Sequence, residues 1–186
     1  MSDTRLPLPD YVKYPIFPFE GDLRVKVPLE RMAADLPRSG EGGRPCDGCG
    51  ENRNGFDLWS DGFWRVRGTG QLNALSALVF LETVPHLDFG DLDDEQAASY
   101  GRITVRLENI MMALPDVGRV HINKWGDGGS HFHVWFMARP RGVFELYGYG
   151  DALWDQVLPP VAAEVRDANY RQIARTLAQV SGTALV

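Results

Sequence analysis

Gly118–Pro140 reads G-R-V-H-I-N-K-W-G-D-G-G-S-H-F-H-V-W-F-M-A-R-P, and its periodicity decides the fold. Side chains on a strand alternate faces with period two. In the second half Phe132, Val134 and Phe136 alternate with His131, His133, Trp135 and Met137. In the first half Val120 and Ile122 point one way, His121 and Asn123 the other. The stretch therefore predicts two strands joined by a glycine-rich loop. One face is apolar and suited to a helix. The other carries three of the chain's four histidines, and packing alone asks for no imidazoles there.

Working upstream, Asp91–Leu114 predicts the clearest helix. Asp93 is placed to cap it, with Gln96 as the return partner of a capping box. Ala97, Tyr100, Thr104, Leu107, Ile110 and Leu114 fall on one stripe, and Pro115 closes it. Before it, A-L-V-F-L-E-T-V (77–84) is nearly continuous apolar chain, as in a central strand covered on both faces, and it runs into Pro85-His86. F-D-L-W (56–59) and F-W-R-V-R (63–67) flank Ser60-Asp61-Gly62 as a hairpin.

Both cysteines stand in P-C-D-G-C-G-E-N-R-N-G, at Cys46 and Cys49. A tight turn of this kind suits a zinc knuckle. A redox pair would open a helix after a strand, and Gly48, Gly50 and Gly55 oppose a helix. An inert pair is the third reading. Two thiolates need two further ligands for tetrahedral zinc. Cys46, Cys49, His86 and His131 would make that set and leave His133 bare, although spacing alone admits His121 as well.

Residues 1–27 are dense in proline and aromatics, among them Pro7, Pro9, Tyr11, Tyr14, Phe17 and Phe19. Proline forbids a regular helix there, and the aromatics predict an extended arm lying across the domain or a partner. Pro28–Leu36 predicts a short helix, and Pro37–Pro45 a polar linker. After the histidine strand, Asp151–Val180 predicts helix broken at Pro159-Pro160, with Val161, Val165, Ile173, Leu177 and Val180 in a loose stripe.

The chain of 186 residues suits one domain. A net charge of -6 opposes non-specific nucleic-acid binding. No apolar run approaches the ~20 residues that span a bilayer. The first residues lack the apolar segment of a signal peptide. Cysteine confined to one C-x-x-C fits a cytoplasmic setting.

C-x-x-C, a later strand-Pro-His, a D-L-D-D-E helix and N-x-W-G-D-G-G-S-H-F-H-V-W-F together resemble the histidine triad superfamily. In its metal pattern the chain is most similar to the galactose-phosphate uridylyltransferase branch. The resemblance covers roughly 44–140. It divides the chain into an arm and short helix (1–43), a histidine-triad-like domain (44–140) and a mostly helical extension of the same globule (141–186). It implies an α+β fold, an antiparallel sheet with a long helix on one face, commonly as a homodimer. It implies structural Zn2+ on Cys46, Cys49, His86 and His131, with His133 as the nucleophile toward the α-phosphorus of a nucleotide. Asn123, Gly129 and Ser130 match loop positions that contact phosphate.

From the residues themselves, the amides of Gly128 and Gly129 and the Ser130 hydroxyl could hold non-bridging oxygens. Lys124 could add positive charge, or be a solvated lysine. The resemblance also implies an acidic residue that holds the ribose, as in many triad proteins, and Asp57 and Asp61 are the candidates for it.

The chain departs from the family at Trp135, where triad members carry a third histidine and the uridylyltransferases glutamine. Indole can donate one hydrogen bond or stack on a base. It cannot act as a general acid. Two expectations follow: a zinc-containing nucleotide hydrolase or nucleotidyltransferase working through His133, or a nucleotide-binding module of the same fold without catalysis.

Overall fold

The computed structural model describes residues 7–25, 33–50, 55–155 and 157–186. Six strands form one antiparallel sheet: β1 (Phe56–Ser60), β2 (Trp64–Gly68), β3 (Ala77–Thr83), β4 (Val117–Asn123), β5 (His133–Pro140) and β6 (Thr183–Ala184). Their order is β4-β5-β3-β2-β1-β6. The helices are α1 (Asp94–Met112), the single turn α2 (Asp151–Trp154) and α3 (Ala163–Ala178). The architecture is α+β.

The β1–β2 hairpin turns on Asp61, whose carboxylate accepts from the N–H groups of Phe63 and Trp64 at 3.1 and 2.8 Å. β3 is central, paired to β2 on one side and β5 on the other. α1 begins at the reciprocal Asp93–Gln96 capping box, which satisfies two otherwise orphaned N–H groups. Its buried face is Ile103, Leu107, Ile110 and Met111. The stripe is thus rotated from the expected one: Ala97 is exposed and Ile103 takes its place.

α3 joins the same core. Tyr170, Ile173, Ala174 and Leu177 pack with Leu107, Ile110, Val79, Leu81, Val134 and Phe136. Val165 and Val180, expected on its stripe, are exposed. Val180 lies beyond the end of α3, and Tyr170 turns inward on the helix, donating from its hydroxyl to Leu78 O at 2.8 Å. β6, which no sequence pattern announced, pairs with β1 through Trp59↔Ala184.

The expected helix over Pro28–Leu36 falls mostly outside the described residues, and its described part, 33–36, is not helical. Pro37–Pro45 is no open linker. Ser39 bridges the loop after β4, donating its N–H to Gly128 O and accepting from Ser130 N, both at 3.0 Å. In the arm, Tyr11 meets Tyr149 edge-on at 6.3 Å, and the indole N–H of Trp154 donates to Ile16 O.

α1 and α3 cover one sheet face, while Trp154 of α2 packs against the cluster that holds Leu78 and Met137 on the other. That other face carries cross-strand rows set by register: Arg65, Glu82 and His133, then Arg67, Phe80, Trp135 and Asn123. His121 and His133 share this face. His131 does not lie on a strand, since β5 opens only at His133.

Candidate metal centre and adjoining cavity

Four side chains from three separate stretches converge beyond the end of β3. The donor atoms of Cys46, Cys49, His86 and His131 lie within 4.8 Å of one another. His131 Nδ1 is 3.6 Å from Cys46 Sγ and 3.3 Å from Cys49 Sγ. His86 Nδ1 is 3.4 Å from Cys49 Sγ. A thiolate and an imidazole sharing a tetrahedral zinc sit ~3.5 Å apart, given bonds of ~2.3 and ~2.05 Å. The three sulfur–nitrogen separations match that value, and the chemistry of the donor set fits zinc. No disulfide joins the two cysteines.

The hydrogen bonds behind the cluster fix the tautomers. His131 Nε2 contacts Thr83 O at 2.8 Å. A carbonyl only accepts, so Nε2 carries the proton and Nδ1 presents its lone pair. Burial pushes His131 below its ordinary value, outweighing the Thr83 hydrogen bond that favours the charged form, and so favours the neutral ligand. His86 Nε2 lies 3.4 Å from Ser130 Oγ, whose own proton goes to Ser39 O at 3.0 Å. Nε2–H of His86 therefore donates, and its Nδ1 faces Cys49. Such outer partners orient metal-bound histidines.

Two glycines permit the close approach. A Cβ on Gly48 would stand 2.9 Å from His131 Cγ, and one on Gly40 would stand 2.6 Å from Ser130 Oγ and 2.7 Å from His86 Cε1. Gly40 also has φ +89, a region that other residues enter only with strain.

His133 stands next to the cluster with a different bond pattern. Its Nδ1 is 2.7 Å from His131 O and must donate to it. In the neutral ring the lone pair is then on Nε2. His133 lines a cavity of about 700 Å³ together with Gly128, Gly129, Arg67 and Phe80. Gly128 O is used by Ser39, whereas the Gly128 and Gly129 N–H groups make no hydrogen bond to the described residues.

The remaining expected site residues are placed elsewhere. Ser130 is buried behind His86, not at the cavity wall, because the Ser39 bridge draws it inward. Asn123 is directed at Met137 Sδ, at 3.6 Å. Lys124 Nζ contacts Trp125 O at 3.5 Å. Trp135 is held between Phe80 and Trp125, with ring centroids at 4.6 and 5.4 Å. It forms an aromatic wall that reaches the cavity only through Phe80. Asp61 is spent on its turn, and Asp57 sits on β1 opposite Arg67. His121 Nδ1 pairs with buried Asp151 at 2.5 Å, apart from the Cys46, Cys49, His86 and His131 group.

Sequence reasoning missed a buried triad on the cavity wall. Glu82 accepts from Arg65 Nε at 2.8 Å and from Arg67 Nη2 at 2.5 Å. Arg65 Nη2 in turn donates to Gly48 O at 2.7 Å, tying the cysteine turn to the sheet. Its signal was the lone Glu82 in an apolar strand facing R-V-R.

No protein-family model matches the sequence, and no curated protein does. Solved structures do match. A histidine triad protein from Marinobacter aquaeolei VT8 superposes with a TM-score of 0.53 at 18% identity, covering 69% of this chain and 92% of that one. A hypothetical histidine triad nucleotide-binding protein from Sulfolobus tokodaii strain 7 superposes with a TM-score of 0.50 at 11% identity, covering 68% and 86%. The chain has the fold of the histidine triad superfamily. Among the described residues, no helix is long and apolar enough to cross a membrane.

Proposed function

We propose that the protein is a zinc-containing hydrolase or nucleotidyltransferase that acts on nucleotides through a nucleotidyl-His133 intermediate. The observation that carries this reading is the hydrogen bond from His133 Nδ1 to His131 O, 2.7 Å long. It leaves the Nε2 lone pair for a cavity edged by two glycine amides. An imidazole oriented in this way is a fair nucleophile at neutral pH.

Cys46, Cys49, His86 and His131 would hold the zinc. The ion's contribution when bound is structural, stiffening the chain immediately before His133. The steps belong to the chain's own groups. Nε2 attacks the α-phosphorus, and the bond to the leaving oxygen breaks with its electron pair on the departing phosphate. Water or an acceptor hydroxyl then attacks the same phosphorus. The P–N pair returns to Nε2, and the attacking group's proton passes to solvent. Gly128 and Gly129 amides stabilise the charge building on the non-bridging oxygens. Phe80, backed by Trp135, gives the base an apolar surface.

Trp135 supplies no acid, so a leaving group stable as an anion suits this site: a phosphoanhydride more than a phosphoramidate. The uridylyltransferase-like metal pattern, the cytoplasmic setting and the homodimer belong to the same proposal, the last open to light scattering.

The test is trapping. A labelled dinucleoside polyphosphate should leave a covalent nucleotidyl adduct that is acid-labile and absent in His133→Ala. The second reading, binding without catalysis, is favoured by Trp135 in place of a third proton-bearing residue. Bound nucleotide with neither adduct nor turnover selects it.

A further inference from the structure

We propose that the far end of the same sheet face carries a second anion site, built for the phosphate of a small molecule and independent of the His133 chemistry. A cavity of about 430 Å³ is lined by Gly118, Arg119, His121, Arg139, Arg141 and Tyr147, with the 142–148 turn closing one side. Arg139 is six residues along β5 from His133, about 20 Å at ~3.3 Å per residue, so the two cavities are separate.

Arg139 is the central observation. It is 4% exposed, and buried guanidinium groups are ordinarily paired with an anion. Here Nη1 donates to Pro140 O at 3.0 Å, and the group lies 4.1 Å over the Tyr147 ring. No carboxylate among the described residues reaches it. The same holds for its neighbours: Arg119 donates to Gly118 O at 3.0 Å and Arg141 to Val117 O at 3.2 Å, both backbone carbonyls. Three guanidinium groups thus share one cavity in a protein of net charge -6, none with an acidic partner among the described residues.

The backbone is shaped around this arrangement. A Cβ on Gly118 would stand 3.0 Å from Arg139 Nη2 and 3.2 Å from Nη1. Glycine lets the planar group lie flat against β4. His121 completes the wall, its ring fixed by the 2.5 Å contact with Asp151, which is itself 2% exposed. Planar donors converging on one pocket match the oxygens of a phosphate, which guanidinium binds through paired hydrogen bonds. The cavity is of a size for a phosphate or diphosphate, and too small for a macromolecule.

The test follows the arginine Nε–Hε resonances of the nitrogen-15-labelled full chain during titration with orthophosphate and with pyrophosphate. Ionic strength is held constant with sodium chloride. A saturable shift of the Arg139 resonance is expected with at least one of the two. The Arg119→Gln/Arg141→Gln double variant should weaken it at least tenfold. Both side chains are exposed, so the fold should survive. Gly118→Ala, which displaces the Arg139 head, should weaken it too. His133→Ala should leave it unaltered, which separates this site from the proposed catalytic one. An Arg139 resonance that does not move, that drifts without saturation as it does with chloride, or that titrates equally in the double variant overturns the proposal.

Discussion

Glu82→Gln is the most searching perturbation of the cavity wall. The carboxylate is 2% exposed and faces Arg65 and Arg67, whose side chains are 7% and 14% exposed. The variant leaves two nearly buried cations against a neutral amide. Removing one partner of a buried ion pair costs about 3–5 kcal/mol. With a urea m-value of about 2 kcal/mol/M, the unfolding midpoint should fall by about 1.5–2.5 M. Arg65 also holds the Gly48 carbonyl, so the cysteine turn should loosen and zinc affinity fall by about tenfold, the usual scale for outer-shell partners. Urea titration followed by tryptophan fluorescence gives the first number; competition with a chromophoric chelator gives the second. The apolar triple variant Arg65→Met/Arg67→Met/Glu82→Leu should regain stability but not zinc affinity, because the tether to Gly48 is gone. A midpoint shift under about 0.5 M at unchanged m would refute the reasoning, since it would mean that the triad is solvated and does not brace the site.

Gly48→Ala should lower zinc affinity about tenfold with little change in the sheet, because the new methyl meets His131 at 2.9 Å; chelator competition measures it. Asp88 is pushed up by desolvation, but the Phe89 N–H and Arg38 outweigh that and hold its carboxyl below 3.8. Its contribution is complete above that value and lost as pH falls through the lower folded one, so Asp88→Asn should flatten the acid limb of midpoint against pH. Burial pushes the Tyr170 hydroxyl up to about 12 from 10.0. The neutral form is thus favoured by folding, and its stabilisation is present below pH 10 and declines between 10 and about 12. Tyr170→Phe should remove that alkaline decline, read by the same urea titrations.

Period-two and capping patterns carried much of the fold into the sequence. Asp93 with Gln96 marked the start of α1, Asp61-Gly62 marked the hairpin, and 77–84 marked the central strand. Their physics is local, so it is visible locally. What was hidden depended on tertiary approach. Ser130 looked like a phosphate ligand until Ser39, 91 residues away, claimed its hydroxyl. The rotation of α1 followed from α3 packing beside it, and β6 is too short to show any period. The convergence of Cys46, Cys49, His86 and His131 came from residue chemistry and resemblance, because spacing alone left His121 as an equal choice. Asp151 explains why it is not one: that buried carboxylate holds His121 at the other end of the sheet.

The placement of His133 is in the end a consequence of core packing. The face covered by α1 and α3 holds the larger core, and Phe132, Val134 and Phe136 are committed to it. A slip of one residue would exchange the faces, burying His133 among leucines and turning Val134 toward the cavity. Such a slip forfeits most of three large apolar side chains, at about 1.5–3 kcal/mol each. It would also pull His131 away from Thr83. The residues that hold β5 in register are therefore the ones that set the distance between His133 and the imidazole of His131 in the Cys/His cluster, although none of them touches the cavity.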